Sequence, residues 1–320
     1  MSSSSQKLSR QWVVAVDGSR IAKRAFDAAI CLMNHEDELN DVLHVIHVAP
    51  KDPVELSEMG AQFRPQHILN EYTEHCRHAK IIYDAVPPSK LETSVELVNV
   101  QGKMTSDNIV QAVLSAASKD GAHFVVVGSF GSGKHESSSS NIKQESTNLG
   151  TVAQASIYKS HCTVVLVKNV GITPAAVETQ RTTPIRFYIA VDGSLPSRYA
   201  WDQLQLLVDP KRGDSITLVH LFSGSFDLGQ ELAASYKPHK AGAVVNYVVQ
   251  PRDKSKSVGV DLCEYVNAED VDYLVVGSEV LLKENHLGSV CEWCTIHARC
   301  HIVVCKPSVM YSSTTGVYDS

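Results

Sequence analysis

Cysteine is scarce in this chain, and long apolar runs are missing. Eight cysteines among 320 residues are too few for a disulfide-stapled secreted scaffold, and several, such as Cys162 and Cys305, border apolar stretches where free cysteines are commonly buried. No apolar run reaches the ~18 residues that a membrane-spanning helix needs. The polar start MSSSSQKLSRQ lacks the apolar core of a secretory signal. We therefore expect a cytoplasmic protein with reduced thiols and no membrane partner.

An excess of positive charge is also missing. The net charge is −6, and no Lys/Arg-rich run occurs, so a nucleic-acid partner is not expected. The chain contains no G-x-S-x-G elbow, no H-E-x-x-H pair and no protein-kinase signature set. We assign no catalytic residue on this basis.

Four sequence blocks occur twice in the same order, which indicates a duplicated domain. The pairs are WVVAVDGS and FYIAVDGS, FVVVGS and YLVVGS, LGTV and LGSV, and CTVVLVK and CHIVVCK. A Pro- and Thr-rich stretch without helical or strand periodicity separates the two copies. The sequence thus predicts domains over 11–168 and 185–307, a linker over 169–184, and disordered ends over 1–10 and 308–320.

Each copy alternates short apolar strands with helical segments. In the first copy, WVVAV, VLHVIHV, SVELVNV, FVVVG and CTVVLV are predicted strands, with helices over about 19–33, 66–85 and 106–118 and after Gly150. Continuously apolar strands separated by helices are typical of a parallel sheet covered on both faces. We therefore predict an α/β fold with two doubly wound (Rossmann-like) five-stranded parallel-sheet domains in tandem.

A glycine-rich stretch follows the predicted fourth strand. The spacing Gly128-x4-Gly133-Lys134 imitates a Walker A loop, but His135 stands where the Mg²⁺-binding hydroxyl belongs. Lys134 is either a point charge for a phosphate or a solvated loop lysine. The following serines, Ser137 to Ser140, are either phosphorylation sites or part of a solvated loop.

Together, the blocks AVDGS, VVVGS, LG(S/T)V and a last strand ending in Val/Cys-Lys resemble the universal stress protein family over most of both copies. Nucleotide-binding members of that family carry Gly-x2-Gly-x9-Gly-Ser/Thr. The first copy has Gly128, Gly131 and Gly150-Thr151, with eighteen residues in the long interval instead of nine. In the second copy, Val280 replaces the second glycine, so the first copy is the better candidate site.

The resemblance implies a site for ATP or ADP, with or without Mg²⁺, in the first domain. Glycines allow backbone N–H groups to approach phosphates, and a helix N-terminus favours an anion. Each element also has a structural interpretation: Gly-x2-Gly as a simple turn, and Asp17 as a helix cap. The implied binding residues are Ala15, Asp17, Val48, Val127, Gly128, Gly131, Gly150, Thr151 and Val152.

Three functions stay open at this point. The first is an ATP- or ADP-binding regulator of the stress response with little or no turnover. The others are a nucleotide-free interaction module read through its serine-rich loop, and a slow ATPase or autokinase. By resemblance, the last strands of the two copies pair edge to edge in an intrachain pseudo-dimer, with a further homodimer left open.

A second cluster lies near the end of the second copy. Cys291 and Cys294 form a C-x2-C pair, and two histidines and two more cysteines follow, namely His297, Cys300, His301 and Cys305. A single C-x2-C pair does not define a zinc site. Metal binding, redox activity and plain core packing are the three interpretations, and no metal ligand is assigned.

Overall fold

A computed structural model describes residues 8–33, 39–84, 91–130, 149–169, 183–223, 226–278 and 287–307. The first half runs through β1 (Leu8–Val16), α1 (Arg20–Leu32), β2 (Leu39–Pro50), α2 (Pro53–Glu58), α3 (Pro65–Asp84), β3 (Leu91–Val100), α4 (Ser106–Lys119), β4 (Phe124–Gly128), α5 (Thr151–Lys159) and β5 (Thr163–Val167). The second half runs through β6 (Arg186–Ala190), α6 (Leu195–Leu207), β7 (Ser215–Phe222), α7 (Phe226–Ala234), β8 (Val244–Pro251), α8 (Val258–Ala268), β9 (Tyr273–Gly277), α9 (Ser289–His297) and β10 (His301–Cys305).

All ten strands of the described residues join one sheet in the order β3-β2-β1-β4-β5-β10-β9-β6-β7-β8. Within each half the strands are parallel and follow the same order. The halves meet where β5 and β10 pair antiparallel, with Val165 opposite Val303. The predicted class, two doubly wound five-stranded units in tandem, is confirmed. In the first half the order of connection reverses between β1 and β4, which is where ligands bind in such sheets.

The strands separate two apolar layers because alternate side chains point to opposite faces. In β4, Phe124 and Val126 belong to one buried cluster, and Val125 and Val127 belong to the other. Helix α1 contributes its buried alanines and Phe26 to the first cluster. Continuous apolar strands therefore arise from a sheet that is covered on both sides.

Strand β1 begins earlier than the sequence analysis predicted. Residues 8–10 were expected to be disordered, but they lie in β1, and Arg10 is 1% exposed. The Arg10 guanidinium forms an ion pair with the buried Asp41 (2.6 Å), which also accepts hydrogen bonds from Trp12 Nε1 (3.0 Å) and Tyr83 Oη (2.8 Å). Because buried charges are stable only when paired, a polar segment can extend a strand here.

The connection between the second and third strands differs between the copies. The second copy has a single helix there, α7. The first copy has α2 and a 3₁₀ turn (Ala61–Phe63) in addition to α3. The linker expected over 169–184 and the tail expected over 308–320 lie mostly or wholly outside the described residues, as do residues 1–7.

Reciprocal side chains join the two halves. Lys168, after β5, donates from Nζ to the Ala298 carbonyl at the end of α9 (2.7 Å). Lys306, after β10, donates to carbonyls at the end of α5, including Ser160 O at 3.2 Å. Burial lowers the pKa of both lysines to about 8. Each lysine thus caps the last helix of the opposite half, where a cation is favoured.

In the part of the chain that the structure describes, no helix is both long enough and apolar enough to cross a bilayer.

Candidate functional site

A cavity of about 570 Å³ opens in the first half at the carboxyl ends of β1, β2 and β4. The N-terminal turns of α4 and α5 and the 3₁₀ turn before α3 form the rest of its wall. The volume lies within the range of ~300–1,000 Å³ that small-molecule sites usually have. The cavity therefore coincides with the reversal point of the sheet.

Eight of the nine residues implied by the family resemblance line this one cavity. They are Ala15, Asp17, Val48, Val127, Gly128, Gly150, Thr151 and Val152. The ninth, Gly131, lies outside the described residues, as do Lys134 and the serines Ser137 to Ser140. Residues that are up to 137 positions apart in sequence are thus brought to one place.

The glycine at position 128 has a packing reason that the sequence analysis did not identify. A Cβ on Gly128 would lie 3.0 Å from Ile21 Cγ1 and 3.2 Å from the Ile21 carbonyl oxygen. In the second half, a Cβ on Gly277 would lie 2.2 Å from the Pro196 carbonyl oxygen. The close approach of α6 thus leaves no room for a Cβ at position 277, whereas at position 128 α1 leaves room only if Ile21 shifts by a few tenths of an ångström, whether or not a ligand binds.

Asp17 holds a turn at the edge of the cavity. Its Oδ1 accepts hydrogen bonds from the Ser19 N–H (3.0 Å) and the Ser19 hydroxyl (2.6 Å). Ser19, and not Asp17, is the N-cap of α1, because its Oγ accepts from the Ala22 N–H (3.3 Å). The second half repeats the turn at Asp192, whose carboxylate accepts from the Ser194 N–H (2.9 Å). Although burial raises the pKa of Asp192, the hydrogen bonds from Ser194 and Ser197 together outweigh this effect and lower it.

Helix α5 points its N-terminus at the cavity without a side-chain cap. Gly150 is its N-cap residue and makes no capping hydrogen bond through a side chain. The Gly150 N–H donates instead to the Ser129 carbonyl (2.7 Å), which fixes the chain entering the helix. The first backbone N–H groups of a helix have no partner within it, and they carry a partial positive charge. The exposed Thr151 adds a hydroxyl at the same position, so this wall suits an anionic group.

The opposite wall is apolar. Ile46 and Val48 from β2, Ile109 and Val113 from α4 and Val127 from β4 line it, and they belong to or pack against one apolar cluster. An apolar pocket with a few polar groups at one end is the common form of a small-molecule site. The arrangement suits a flat apolar group held opposite an anionic one.

The sequence analysis missed several lining residues, of which His47 is the most informative. Its Nδ1–H donates to the Val16 carbonyl (2.9 Å), and its Nε2 is buried without a hydrogen-bond partner. Burial lowers the pKa of His47, although the Val16 hydrogen bond and the Asp17 charge raise it. Nε2 is then the unprotonated nitrogen beside the cavity. Its position directly before Val48 at the end of β2 was the available signal.

Four further lining residues that were not predicted come from connections. Met59 and Phe63 follow α2, Met104 precedes α4, and Phe130 follows β4. No periodic pattern marks connecting segments, so their orientation toward the cavity could not be read from the sequence.

The second half differs at the corresponding place. His220 corresponds to His47, and its Nδ1–H donates to the Val191 carbonyl (2.8 Å). Helix α7 packs on this ring, because a Cβ on Gly229 would lie 3.1 Å from His220 Cδ2. The ring that borders the cavity in the first half is therefore covered by a helix in the second. Val280 lies outside the described residues.

The cysteine and histidine cluster near the chain end does not form a metal site in the described residues, where no group of three His, Cys, Asp or Glu side chains is arranged to hold an ion. Cys291 and Cys294 lie on α9, and Cys305 lies in β10. All three are buried in the apolar core as free thiols.

Comparisons with known proteins are consistent with this fold. The sequence model of the universal stress protein family matches residues 9–168. A universal stress protein from Archaeoglobus fulgidus DSM 4304 is 15% identical with a TM-score of 0.53, covering 92% of this chain and 98% of its own. A putative universal stress protein from Pseudomonas aeruginosa UCBPP-PA14 is 11% identical with a TM-score of 0.57, covering 95% of each chain.

The cytoplasmic domain of a prokaryotic cation chloride cotransporter also has this architecture, with 10% identity, a TM-score of 0.50 and coverage of 93% of this chain and 95% of its own. At such identities the similarity concerns the fold alone. The search of curated protein sequences finds no match.

Proposed function

Because the chain belongs to the universal stress protein family, we propose that the cavity of its first half binds ATP or ADP, with or without Mg²⁺. We further propose that the protein acts in the cytoplasm as a nucleotide-dependent regulator of a stress response. The proposal includes little or no turnover, since the sequence offers no catalytic signature set.

One observation carries the proposal: the eight described residues that the family motif implies line a single cavity. The sheet topology brings the strand ends and the start of α5 to one edge, and between them they leave a cavity of ligand size. The cavity also lies at the reversal point of the sheet, where nucleotides bind in doubly wound folds.

The two walls suggest an orientation for the nucleotide. The adenine would lie against the apolar wall near Val48 and Val127, and the phosphates would lie at the N-terminus of α5, near Gly150 and Thr151. Asp17 lies at the end of β1 between these regions. Its carboxylate would meet the ribose hydroxyls or a bound Mg²⁺, which prefers oxygen ligands.

The two halves would act as a pseudo-dimer, with the first half as the binding domain (11–168) and the second (185–307) as its support. The antiparallel β5–β10 pair supports the pseudo-dimer, as do the hydrogen bonds that Lys168 and Lys306 each donate to the opposite half. A pseudo-dimer covers the edge strands β5 and β10 that each half would otherwise expose. A further homodimer of two full chains would be detected by sedimentation analysis.

The test is a substitution whose side chain fills the cavity. Ala15 lines it, and Ala190 is the matching residue of the second half. We expect Ala15→Phe to lower the affinity for Mg²⁺-ATP at least about ten-fold, a loss of ~1.4 kcal/mol, because the ring occupies the cavity. Isothermal titration calorimetry would measure this, with circular dichroism to confirm folding.

Ala190→Phe is the matched control and should bind as the wild type does. Equal losses in both variants would indicate a general packing effect and contradict the assignment of the first half. Wild-type protein that binds no ATP or ADP at millimolar concentration would contradict the proposal itself and favour the nucleotide-free interaction module.

A further inference from the structure

Two buried thiols of the second half lie in contact. Cys263 Sγ on α8 is 3.6 Å from Cys294 Sγ on α9, and the two residues are 3% and 0% exposed. They come from helices that are separated in sequence by strand β9. The pair is therefore a tertiary contact and not a product of the C-x2-C spacing, which joins Cys294 to Cys291.

A glycine allows this contact. A Cβ on Gly259 would lie 2.8 Å from Trp293 Cβ, so α8 and α9 cross with no side chain between them at that point. Gly259 is one turn before Cys263, and Trp293 directly precedes Cys294. The close crossing of the backbones holds the two sulfur atoms against each other.

The two thiols have unequal chemistry. The hydrogen-bonding contact with Cys294 lowers the pKa of Cys263 more than burial raises it, and the charge of Lys168 lowers it further. The same contact and burial raise the pKa of Cys294. Lys168 belongs to the first half and is held beside the pair by its hydrogen bond to the Ala298 carbonyl. Cys263 is therefore the nucleophile and Cys294 the neighbouring thiol, since the thiolate is the reactive form.

We propose that Cys263 and Cys294 form an oxidation site for small hydroperoxides such as hydrogen peroxide, with an intrachain disulfide as the product. The Cys263 thiolate attacks one peroxide oxygen, the O–O bond breaks, and hydroxide leaves, which yields a sulfenic acid. The Cys294 thiol then attacks this sulfur, the S–O bond breaks, and the sulfenic hydroxyl leaves as water with the Cys294 proton. The proton released when Cys263 ionised converts the hydroxide from the first step into a second water. In total, two thiols and one peroxide give one disulfide and two waters.

The burial of the pair restricts the oxidant to small molecules. Side chains that are 3% and 0% exposed offer no room for a tripeptide disulfide such as oxidised glutathione. Closing the 3.6 Å contact to a bonded distance of ~2.05 Å requires a small approach of two side chains on helices that already cross closely. The reaction therefore needs no unfolding.

Cys300 supplies a matched comparison within the same molecule. It is also 3% exposed, but burial raises its pKa from 9.0 to about 12. Each unit of pKa changes the fraction of a thiol that is present as thiolate about ten-fold. A thiolate of lower pKa is also a weaker nucleophile, which offsets about half of this change on a logarithmic scale. Because the pKa of Cys263 is lowered by its contact with Cys294 whereas burial raises that of Cys300, Cys263 is expected to react with peroxide faster than Cys300.

The experiment treats the folded full-length protein with hydrogen peroxide, blocks remaining thiols with N-ethylmaleimide after denaturation, and maps the peptides by mass spectrometry. We expect a Cys263–Cys294 crosslink that dithiothreitol removes, while Cys300 stays alkylated. A crosslink that instead joins Cys291 or Cys300, or Cys263 and Cys294 fully alkylated after treatment, would overturn the proposal.

Two serine variants assign the roles. In Cys294→Ser the sulfenic acid has no second thiol, so dimedone should label Cys263; in Cys263→Ser, dimedone should not label Cys294. Labelling of Cys294 in the second variant would contradict the assignment. If either variant fails to fold, the crosslink map of the wild type still decides the proposal. The experiment does not involve nucleotide, so its outcome is independent of the proposed function.

Discussion

His301 should make the junction between the halves sensitive to acid. It lies in β10 beside the antiparallel pairing with β5, and its Nδ1 accepts the backbone N–H of Lys168 at 3.1 Å. Burial lowers the pKa of His301 from 6.5 to about 4; Asp272 opposes this shift, and the charges of Arg24 and Lys168 add to it. Protonation would remove the acceptor and place a charge in the core.

The direction and size of this acid-induced change in stability follow from proton linkage. Below pH 6.5 the unfolded chain binds a proton at this position, whereas the folded chain binds it only near pH 4, so stability falls as the pH decreases. At 1.36 kcal/mol per pKa unit, the loss is about 2 kcal/mol at pH 5 and about 3 kcal/mol below pH 4. The full contribution is present above pH 6.5.

The variant His301→Thr isolates this contribution. Thr163 occupies the equivalent position in β5, so threonine is compatible with this strand. Urea denaturation at pH 7.5 and pH 5 gives the free energy of unfolding of both proteins. The wild type should lose about 2 kcal/mol more than the variant over this range, because the other histidines are common to both. A pH dependence that is equal in the two proteins would refute the reasoning, whatever the variant's stability at pH 7.5.

Two other substitutions test the packing and the reciprocal lysines. Gly277→Ala should destabilise the protein more than Gly128→Ala, because its Cβ would meet the Pro196 backbone at 2.2 Å whereas the Gly128 Cβ would meet the Ile21 side chain at 3.0 Å. We expect a loss of about 3 kcal/mol or more for the first variant and about 1–2 kcal/mol for the second, measured in thermal melts. The reverse order would contradict the argument. Lys168→Met should change the pH dependence at the alkaline end. Since the pKa of Lys168 is lowered from 10.5 to about 8, raising the pH from 7 to 9.5 should stabilise the wild type by about 2 kcal/mol relative to the variant. If urea denaturation shows the same difference in unfolding free energy between the two proteins at both pH values, the result argues against a buried ammonium.

Much of the fold could be predicted because it depends on local patterns. The predicted first helix over 19–33 is observed as Arg20–Leu32 with Ser19 as its cap, and the predicted helix over 106–118 is observed as Ser106–Lys119. Apolar periodicity and capping residues determine such elements. The start of β1 could not be predicted in this way. Arg10 reads as a polar terminal residue until Asp41, 31 positions later, is placed beside it.

The candidate site was predictable in part for the same reason. Asp17, Val48 and Gly150 stand at the ends of strands or the start of a helix, and the sheet topology fixes where such ends lie. Met59 and Phe63 could not be predicted, because they come from a connection whose path depends on tertiary packing. Gly128, a predicted binding residue, lines the cavity, but a Cβ there would also lie 3.0 Å from Ile21 Cγ1, a packing constraint that the sequence does not reveal.

The repeated residues of this chain explain its architecture better than its activity. Asp17 and Asp192 form the same turn, Gly128 and Gly277 admit the same helix, and the lysines after the last strands cap helices reciprocally. A residue that does the same structural work in both halves cannot by itself make one half a binding domain. The difference must come from positions that the halves do not share. Among the described residues, the halves differ in the connection after their second strand. In the first half, Met59 and Phe63 of this connection border an open cavity. In the second half, helix α7 of this connection covers His220. Exchanging these connections between the halves, rather than mutating the shared glycines, is therefore the change that should move ligand binding from one half to the other.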